Sequence, residues 1–160
     1  MLTIRPGAEQ DFTEILDIQR EAFAEYEGTY KTSGWTTETL ENLKRDAQEK
    51  KVLVAEWNGK IVGSVRFWRA GGVCIIRLLS VHPAYQRKGI GKALIREVET
   101  LVTDAHKFYV CTMLKTSRNV VMFLNLGYRP ESLMPDHYNR MDMICFSKRP
   151  DDSSARRPVK

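Results

Sequence analysis

The 160-residue chain has no long hydrophobic run. No apolar stretch approaches the roughly 20 residues that a membrane span requires, which argues against a spanning segment and a membrane partner. The opening Met1-Leu2-Thr3-Ile4-Arg5-Pro6 lacks a signal-peptide pattern, so a cytoplasmic location is the expectation. Cysteine is scarce. Cys74, Cys111 and Cys145 each lie in an apolar, strand-like run, and none stands in Cys-x-x-Cys spacing. That speaks against zinc, against any other resident metal and against dithiol chemistry; buried, reduced thiols are expected. The two commoner phosphate loops are also missing. There is no Gly-x-x-x-x-Gly-Lys-Ser/Thr, and three residues after Gly91, where a dinucleotide fingerprint needs glycine, stands Leu94. No internal repeat is present.

What is present is the composition of an ordinary globular protein, 42% hydrophobic and 28% charged. The length suits one domain with a real core. We place it at residues 1–148, followed by a polar tail over 149–160 that has nothing apolar to bury and reads as disordered. The net charge is +5 and the isoelectric point about 9.2. A nucleic-acid binder would need aromatics interleaved with cations on a sheet face, or a basic helix. The sequence shows neither, and a polyanionic cofactor accounts for part of the excess equally well.

In order along the chain, Leu2–Arg5 is a short strand stopped by Pro6-Gly7. A helix follows from about Glu9 to Tyr26. A second opens around Trp35–Leu40, with Thr36 or Thr37 as its cap and Glu38 in its first turn. Val52–Trp57 and Ile61–Trp68 flank Asn58-Gly59, the strongest hairpin signal in the chain. Gly71-Gly72 turns into a strand over 73–82, ended by His82-Pro83. A helix then runs to about Asp104. Lys107–Met113 is a strand parallel to the 73–82 strand by the crossover rule. Thr116–Leu126 is a short helix with Gly127 at its C′ position, Tyr128-Arg129-Pro130 starts a return strand, and Tyr138–Phe146 is the last strand.

The stretch from Cys74 to Val102 organises the rest. A buried strand, a short basic glycine loop (Gln86-Arg87-Lys88-Gly89-Ile90-Gly91) and an amphipathic helix follow in that order. The first turn of a helix carries N–H groups with no partner inside the helix, and the helix dipole adds positive potential there. Gly89 and Gly91 remove the Cβ atoms that would keep a ligand from the backbone. Arg87, Lys88 and Lys92 supply cations. The combination suits phosphate groups; the bland reading is a strand-to-helix turn with a basic rim.

Gln-x-x-Gly-x-Gly after a strand ending in Val-x-Pro, and before an amphipathic helix, resembles the acyl-CoA-binding motif of the GNAT superfamily of N-acetyltransferases. The order of elements over roughly 1–148 fits as well. The resemblance implies an α/β (α+β) fold: a mixed, mostly antiparallel central sheet, helices on both faces, and a splayed pair of parallel strands, here 73–82 and 107–113. It implies acetyl-CoA as cosubstrate, without a metal, and an amine acceptor that attacks the acetyl carbonyl directly in a ternary complex. The pyrophosphate would fall to Gln86, Arg87, Lys88, Gly89, Ile90, Gly91 and Lys92. The pantetheine arm would fall to Leu79, Ser80 and Val81, with Val81 or Leu79 N–H as oxyanion donor. Thr116, Asn119 and Phe123 would form the further cofactor-binding positions. The acceptor would be a primary amine on a small molecule or a protein, and the chain a monomer or homodimer.

The chain departs from the family at the proton donor. Phe123 stands where many members carry a tyrosine before the "Gly-Phe" pair, which here is Gly127-Tyr128. Tyr138 and Tyr109 are the substitute donors; water or the attacking ammonium would also serve the leaving thiolate. For the base, Glu21, Glu25 and Glu27 end the first helix, and His137, beside Tyr138 at the border of the last strand, has a suitable ordinary pKa. His82 reads better as a turn residue. Thus Tyr138, His137 and Glu25 are the catalytic candidates. Arg66, Arg69 and Arg77 admit two readings: they face the cleft and select an anionic acceptor, or they face solvent or pair with Glu56. Tyr26, Tyr30 and Trp35 either shape the acceptor site or pack. The absent tyrosine also leaves a second reading of the whole, a non-catalytic acyl-CoA-binding sensor or subunit.

Overall fold

The computed structural model describes residues 1–26, 38–137 and 140–150. The described residues form a mixed α/β fold with seven strands, in two compact units. The first comprises Met1–Trp68 and Ile76–Leu101, the second Arg69–Ile75 and Val102–Lys160.

In the first unit, β1 (Leu2–Pro6) pairs antiparallel with β2 (Lys51–Trp57), and β2 with β3 (Lys60–Ala70). Asn58 and Gly59 take φ of 51° and 82°, the double positive φ that suits a two-residue hairpin to the twist of its strands. The β4 strand (Val73–Val81) lies beside β3. Residues 61–67 of β3 are buried without a break, so both faces of the strand are covered. One cover is a core of Phe12, Ile15, Leu16 and Ile18 from α1 (Phe12–Phe23), Leu43 from α2 (Leu40–Glu49), and Val52, Val54 and Ile61 from the strands. α3 (Ile90–Leu101) buries Ile90, Leu94, Ile95 and Val98 and packs on β1 and β2. Gly63 makes that approach possible: a Cβ there would stand 3.0 Å from the Ser80 carbonyl and 3.4 Å from Ile90 and Leu94 side-chain carbons.

The expected first helix is present in three pieces, with 3-10 turns at Glu9–Asp11 and Ala24–Tyr26 on either side of α1. Asp11 is buried and bonds the Arg5 guanidinium at 2.8 Å and the Ala8 N–H at 2.7 Å. The Arg5 hydrogen bond holds its carboxyl below the usual range, against the opposing effect of burial. The second helix starts later than expected. Its cap is Thr39, whose hydroxyl accepts the Asn42 N–H (3.2 Å) while the Asn42 side chain accepts the Thr39 N–H (3.1 Å). That reciprocal pair outcompetes a start nearer Trp35. The alternative caps Thr36 and Thr37, with Glu27, Tyr30 and Trp35, lie outside the described residues. α3 stops at Leu101, not Asp104, because Val102 and Ala105 turn inward and are buried.

In the second unit, β5 (Lys107–Met113) pairs antiparallel with β7 (Met143–Lys148), and β7 with β6 (Arg129–Met134). α4 (Ser117–Asn125) ends before Gly127, whose φ of 90° confirms the expected C′ glycine. The last strand begins at Met143 rather than at Tyr138. Before it, Asp136 and Arg140 have positive φ, Asp136 N–H donates to the Asp142 carboxylate at 2.8 Å, and His137 N–H donates to the Met141 carbonyl at 2.9 Å. His137 therefore does not border the strand.

The expectation of reduced thiols fails for two of the three cysteines. Cys111 and Cys145 form a disulfide. The β5–β7 register puts them directly opposite, with Cα atoms 4.0 Å apart. Their separation of 34 residues gave no local signal of the pairing. Cys74 is free and buried, and burial pushes its thiol up to about 11. Closing that loop restricts the unfolded chain. A thiol reductant should therefore lower the unfolding free energy by about 2 kcal/mol, read as an earlier urea midpoint. The double variant Cys111→Ala, Cys145→Ala should unfold at that lower midpoint with or without reductant.

Candidate active site

β4 carries backbone strain at its centre. Leu78 has φ of 53°, a left-handed conformation that costs a non-glycine residue about 1–2 kcal/mol. Strand alternation breaks there: Ile76 is buried, Arg77 exposed, Leu78 and Leu79 both half-buried, and Ser80 buried again. Ser80 Oγ lies 3.3 Å from Ser64 Oγ on β3, and Val81 is half-buried at the strand end.

The chain then makes a tight exit. His82 N–H donates to the Val62 carbonyl (2.8 Å), its Nδ1 accepts the Ala84 N–H (3.1 Å), and a 3-10 turn forms over Pro83–Tyr85. Gln86 folds back, its Nε2 donating to the Val81 carbonyl at 3.0 Å, so the loop is tied to the strand it leaves. Arg87 and Gly89 take φ of 63° and 80°. Alternating such residues with right-handed ones turns successive N–H groups toward one side, the geometry of an anion nest. Gly89 accepts the first helical bond, from Ala93 N–H at 3.0 Å. Among the described residues, the N–H groups of Gly89, Ile90, Gly91 and Lys92 have no acceptor. The Ile90 side chain, 1% exposed, anchors the turn in the core, while Arg87, Lys88 and Gly89 are exposed and Gly91 and Lys92 half-buried. No carboxylate among the described residues pairs with Arg87, Lys88 or Lys92. Uncapped amides at a helix start, free cations and no Cβ at Gly89 or Gly91 fit a diphosphate.

The remaining expected cofactor positions lie in the second unit. Thr116 is buried at the start of α4, where its carbonyl accepts the Asn119 N–H at 3.0 Å. Asn119 Nδ2 donates to Thr112 Oγ1 on β5 at 3.2 Å. Phe123 is 1% exposed, stacked on Phe146 at 5.7 Å and edge-on to Tyr128 at 5.5 Å. Its ring is part of the core of that unit.

Of the three catalytic candidates, Tyr138 lies outside the described residues, His137 is exposed, and Glu25 is exposed in the 3-10 turn after α1. Two other groups weighed as bases, Glu21 and His82, do come together. They line an open groove of about 390 Å³ with Glu14, Asp17, Arg20 and Lys60.

Arg66 fits neither expectation, whereas Arg69 and Arg77 are exposed, as the solvent-facing reading has them. Arg66 is 2% exposed and surrounded: it donates to Glu38 Oε1 (2.7 Å) and Oε2 (2.7 Å), Asp46 Oδ2 (2.9 Å) and Gln19 Oε1 (3.1 Å). Glu56 pairs with Arg5 instead. Arg69 pairs with Asp104, and Arg77 is exposed. The Arg66 cluster had one legible sign, a charge inside the apolar run Ile61–Phe67; its partners on α1, before α2 and on α2 were not legible. The strain at Leu78 had no sign at all.

Among the described residues no three His, Cys, Asp or Glu side chains are grouped to hold a metal, and no helix is long and apolar enough to cross a membrane.

The sequence profile described as the Acetyltransferase (GNAT) family matches residues 13–128. Among curated proteins none matches the chain. Several solved structures share the fold. The PaiA N-acetyltransferase of Thermoplasma acidophilum, in complex with coenzyme A, superposes with a TM-score of 0.79 at 19% identity, over 93% of this chain and 99% of that one. The ribosomal-protein-S18-alanine N-acetyltransferase of Escherichia coli gives 0.78 at 15% identity, over 93% and 94%. YncA of Salmonella typhimurium, a putative acetyltransferase with its cofactor acetyl-CoA, gives 0.76 at 22% identity, over 99% of both chains.

Proposed function

On the premise that this chain belongs to the GNAT acetyltransferase family, we propose that it transfers an acetyl group from acetyl-CoA to a primary amine, by direct attack within a ternary complex. The observation that carries the cosubstrate is the set of uncapped amides at Gly89–Lys92 beside three cations that pair with no described carboxylate. Bound there, acetyl-CoA would supply a thioester carbonyl, on which a C–N bond forms while the C–S bond breaks. Gln86 holds the loop in shape through Val81, and Ile90 fixes the helix start against the core. One structure of the same fold is a ribosomal-protein-S18-alanine N-acetyltransferase, which supports an amine acceptor.

Only a neutral amine attacks, so a base or the solvent must take its proton, and the departing thiolate must gain one. Glu25, His137 and Tyr138 remain the proposed proton carriers. The groove lined by Glu21 and His82 adds an acid and an imidazole. Phe123 carries no proton and its ring is enclosed. Phe123→Tyr should therefore leave the turnover number within about threefold, because a group outside the reaction contributes little to its barrier. Steady-state rates would check this, and a gain of tenfold or more would show that the missing hydroxyl limits the reaction.

That same absence favours the second reading, a protein that binds acyl-CoA without transferring it. Calorimetric titration with acetyl-CoA, followed by an amine panel with free-thiol detection, separates the two. We expect saturable binding and amine-dependent thiol release, with initial rates sequential in both substrates. Saturable binding with no thiol from any amine would establish the sensor reading.

A further inference from the structure

Trp57 closes β2 between two neighbouring strands. It stands opposite Leu2 of β1 and Lys60 of β3, and precedes the Asn58-Gly59 hairpin. The hairpin is clasped by the chain's first residue: the Met1 amine donates to Asn58 Oδ1, and Asn58 N–H donates to the Met1 carbonyl at 3.1 Å. The indole is half-buried, which leaves one part of it open. Over its ring, 6.0 Å from the centroid, lies Nζ of Lys88. Lys88 itself is exposed, sits between the two positive-φ residues Arg87 and Gly89, and pairs with no carboxylate among the described residues.

A lysine on a loop is a mobile charge on a flexible stem. Parked over an aromatic face it loses part of that freedom before a ligand arrives, and the contact is attractive at up to about 6 Å. An ammonium has three N–H donors and the ring face satisfies only one direction, so the others are left for an anion. The platform is part of the sheet and the cation part of the loop, 31 positions apart in the chain. We infer that Trp57 is a positioning residue for the phosphate loop: its ring holds the Lys88 ammonium at the loop so that coenzyme A meets a cation already in place. This rests on the reading of Gln86–Lys92 as the diphosphate loop.

The test is a double-mutant cycle on coenzyme A affinity, by calorimetry on the full chain. Lys88→Met should raise Kd about tenfold, the loss expected for a hydrogen bond to a charged group. Trp57→Leu should raise it about three- to fivefold, the worth of an exposed cation–π contact. In the Lys88→Met background Trp57→Leu should add nothing further, and Trp57→Phe should restore most of the affinity. A merely structural tryptophan would weaken binding by the same factor whether or not Lys88 is present, and that outcome overturns the inference. Should Trp57→Leu not fold, the wild-type indole decides: coenzyme A should change the tryptophan emission in the wild type and leave it unchanged in Trp57→Phe. An equal change in both overturns it. A wild-type chain that binds no coenzyme A would remove the loop reading and this inference together; binding that is lost in Gly89→Glu but shows multiplicative effects in the cycle would remove this inference alone.

Discussion

Arg66→Met should lower the unfolding free energy by about 3–5 kcal/mol, the range for breaking a buried ion pair by removing one partner. Methionine fills much of the arginine stem's volume, so the loss is not a cavity effect. It arises from what stays behind. Glu38 loses both bonds from the guanidinium and, among the described residues, keeps the Gln19 amide at 2.8 Å. Asp46 keeps Lys50 at 2.6 Å. Gln19, 1% exposed, loses the donor to its carbonyl. Water cannot reach all of these groups, and an unpaired carboxylate in such a place is expensive. The loss should depend on pH with a definite sign. Burial pushes the Asp46 carboxyl up, but the hydrogen bonds from Lys50 and Arg66 outweigh it, and the group is held below its ordinary value of 3.8. A depressed carboxylate stabilises the fold above its unfolded pKa, and that contribution disappears as pH falls through the folded one. The variant has less of it to lose. The difference between wild type and Arg66→Met should therefore be full at neutral pH and shrink below about pH 4, as measured by urea midpoints across pH. A constant difference down to pH 2.5 would show that the guanidinium stabilises through packing alone.

That cluster also marks the limit of what the sequence discloses. The features that could be read were local. Asn58-Gly59 fixes a hairpin because two adjacent residues tolerate positive φ, and Gly127 ends α4 for the same reason. The phosphate loop was legible because strand, glycines, cations and helix follow one another within about twenty positions. Features set by contacts distant in sequence could not be read. Arg66 reaches partners 20, 28 and 47 positions away, and nothing near it distinguishes Glu38 and Asp46 from Glu56. Cys111 and Cys145 look like two buried thiols until the β5–β7 register sets them face to face. Thr36, Thr37 and Thr39 are equivalent as caps by residue type; Asn42, three positions after Thr39, gives that residue its reciprocal bonds. Leu78 is the hardest case. Leucine has no preference for positive φ, so the bend in β4 is imposed by the surrounding fold rather than chosen by the residue. Such imposed strain concentrates where a site is built, and it falls two residues before Ser80 and three before Val81, on the strand proposed to run beside the pantetheine arm.

Gly89→Glu should weaken coenzyme A binding at least a hundredfold while leaving the chain folded. Gly89 has φ of 80°, and a Cβ added to it would meet nothing within 4 Å. The protein therefore has room for a side chain, and the cost to stability is only that of a left-handed non-glycine residue, about 1–2 kcal/mol. The cost to binding is of another kind. A diphosphate bound by the uncapped N–H groups of residues 89–92 would compete for the open space beside Gly89. A carboxylate there excludes the phosphates and repels them; like charges brought together in an interface cost several kcal/mol, and about 3 kcal/mol is a hundredfold in Kd. Gly89→Ala separates the two effects, since a methyl group obstructs without repelling; a loss of about tenfold is expected from an obstructed approach worth about 1.4 kcal/mol. Gly71→Glu is the control for strain. Gly71 also has positive φ, 58°, and open space around its added Cβ, but it lies in the turn between β3 and β4. It should lose comparable stability and keep its affinity. If calorimetry gave Gly89→Glu the wild-type affinity, the amides that open α3 would not be where the phosphates bind, and the assignment of acetyl-CoA to this loop would have to be abandoned whatever the fold resembles.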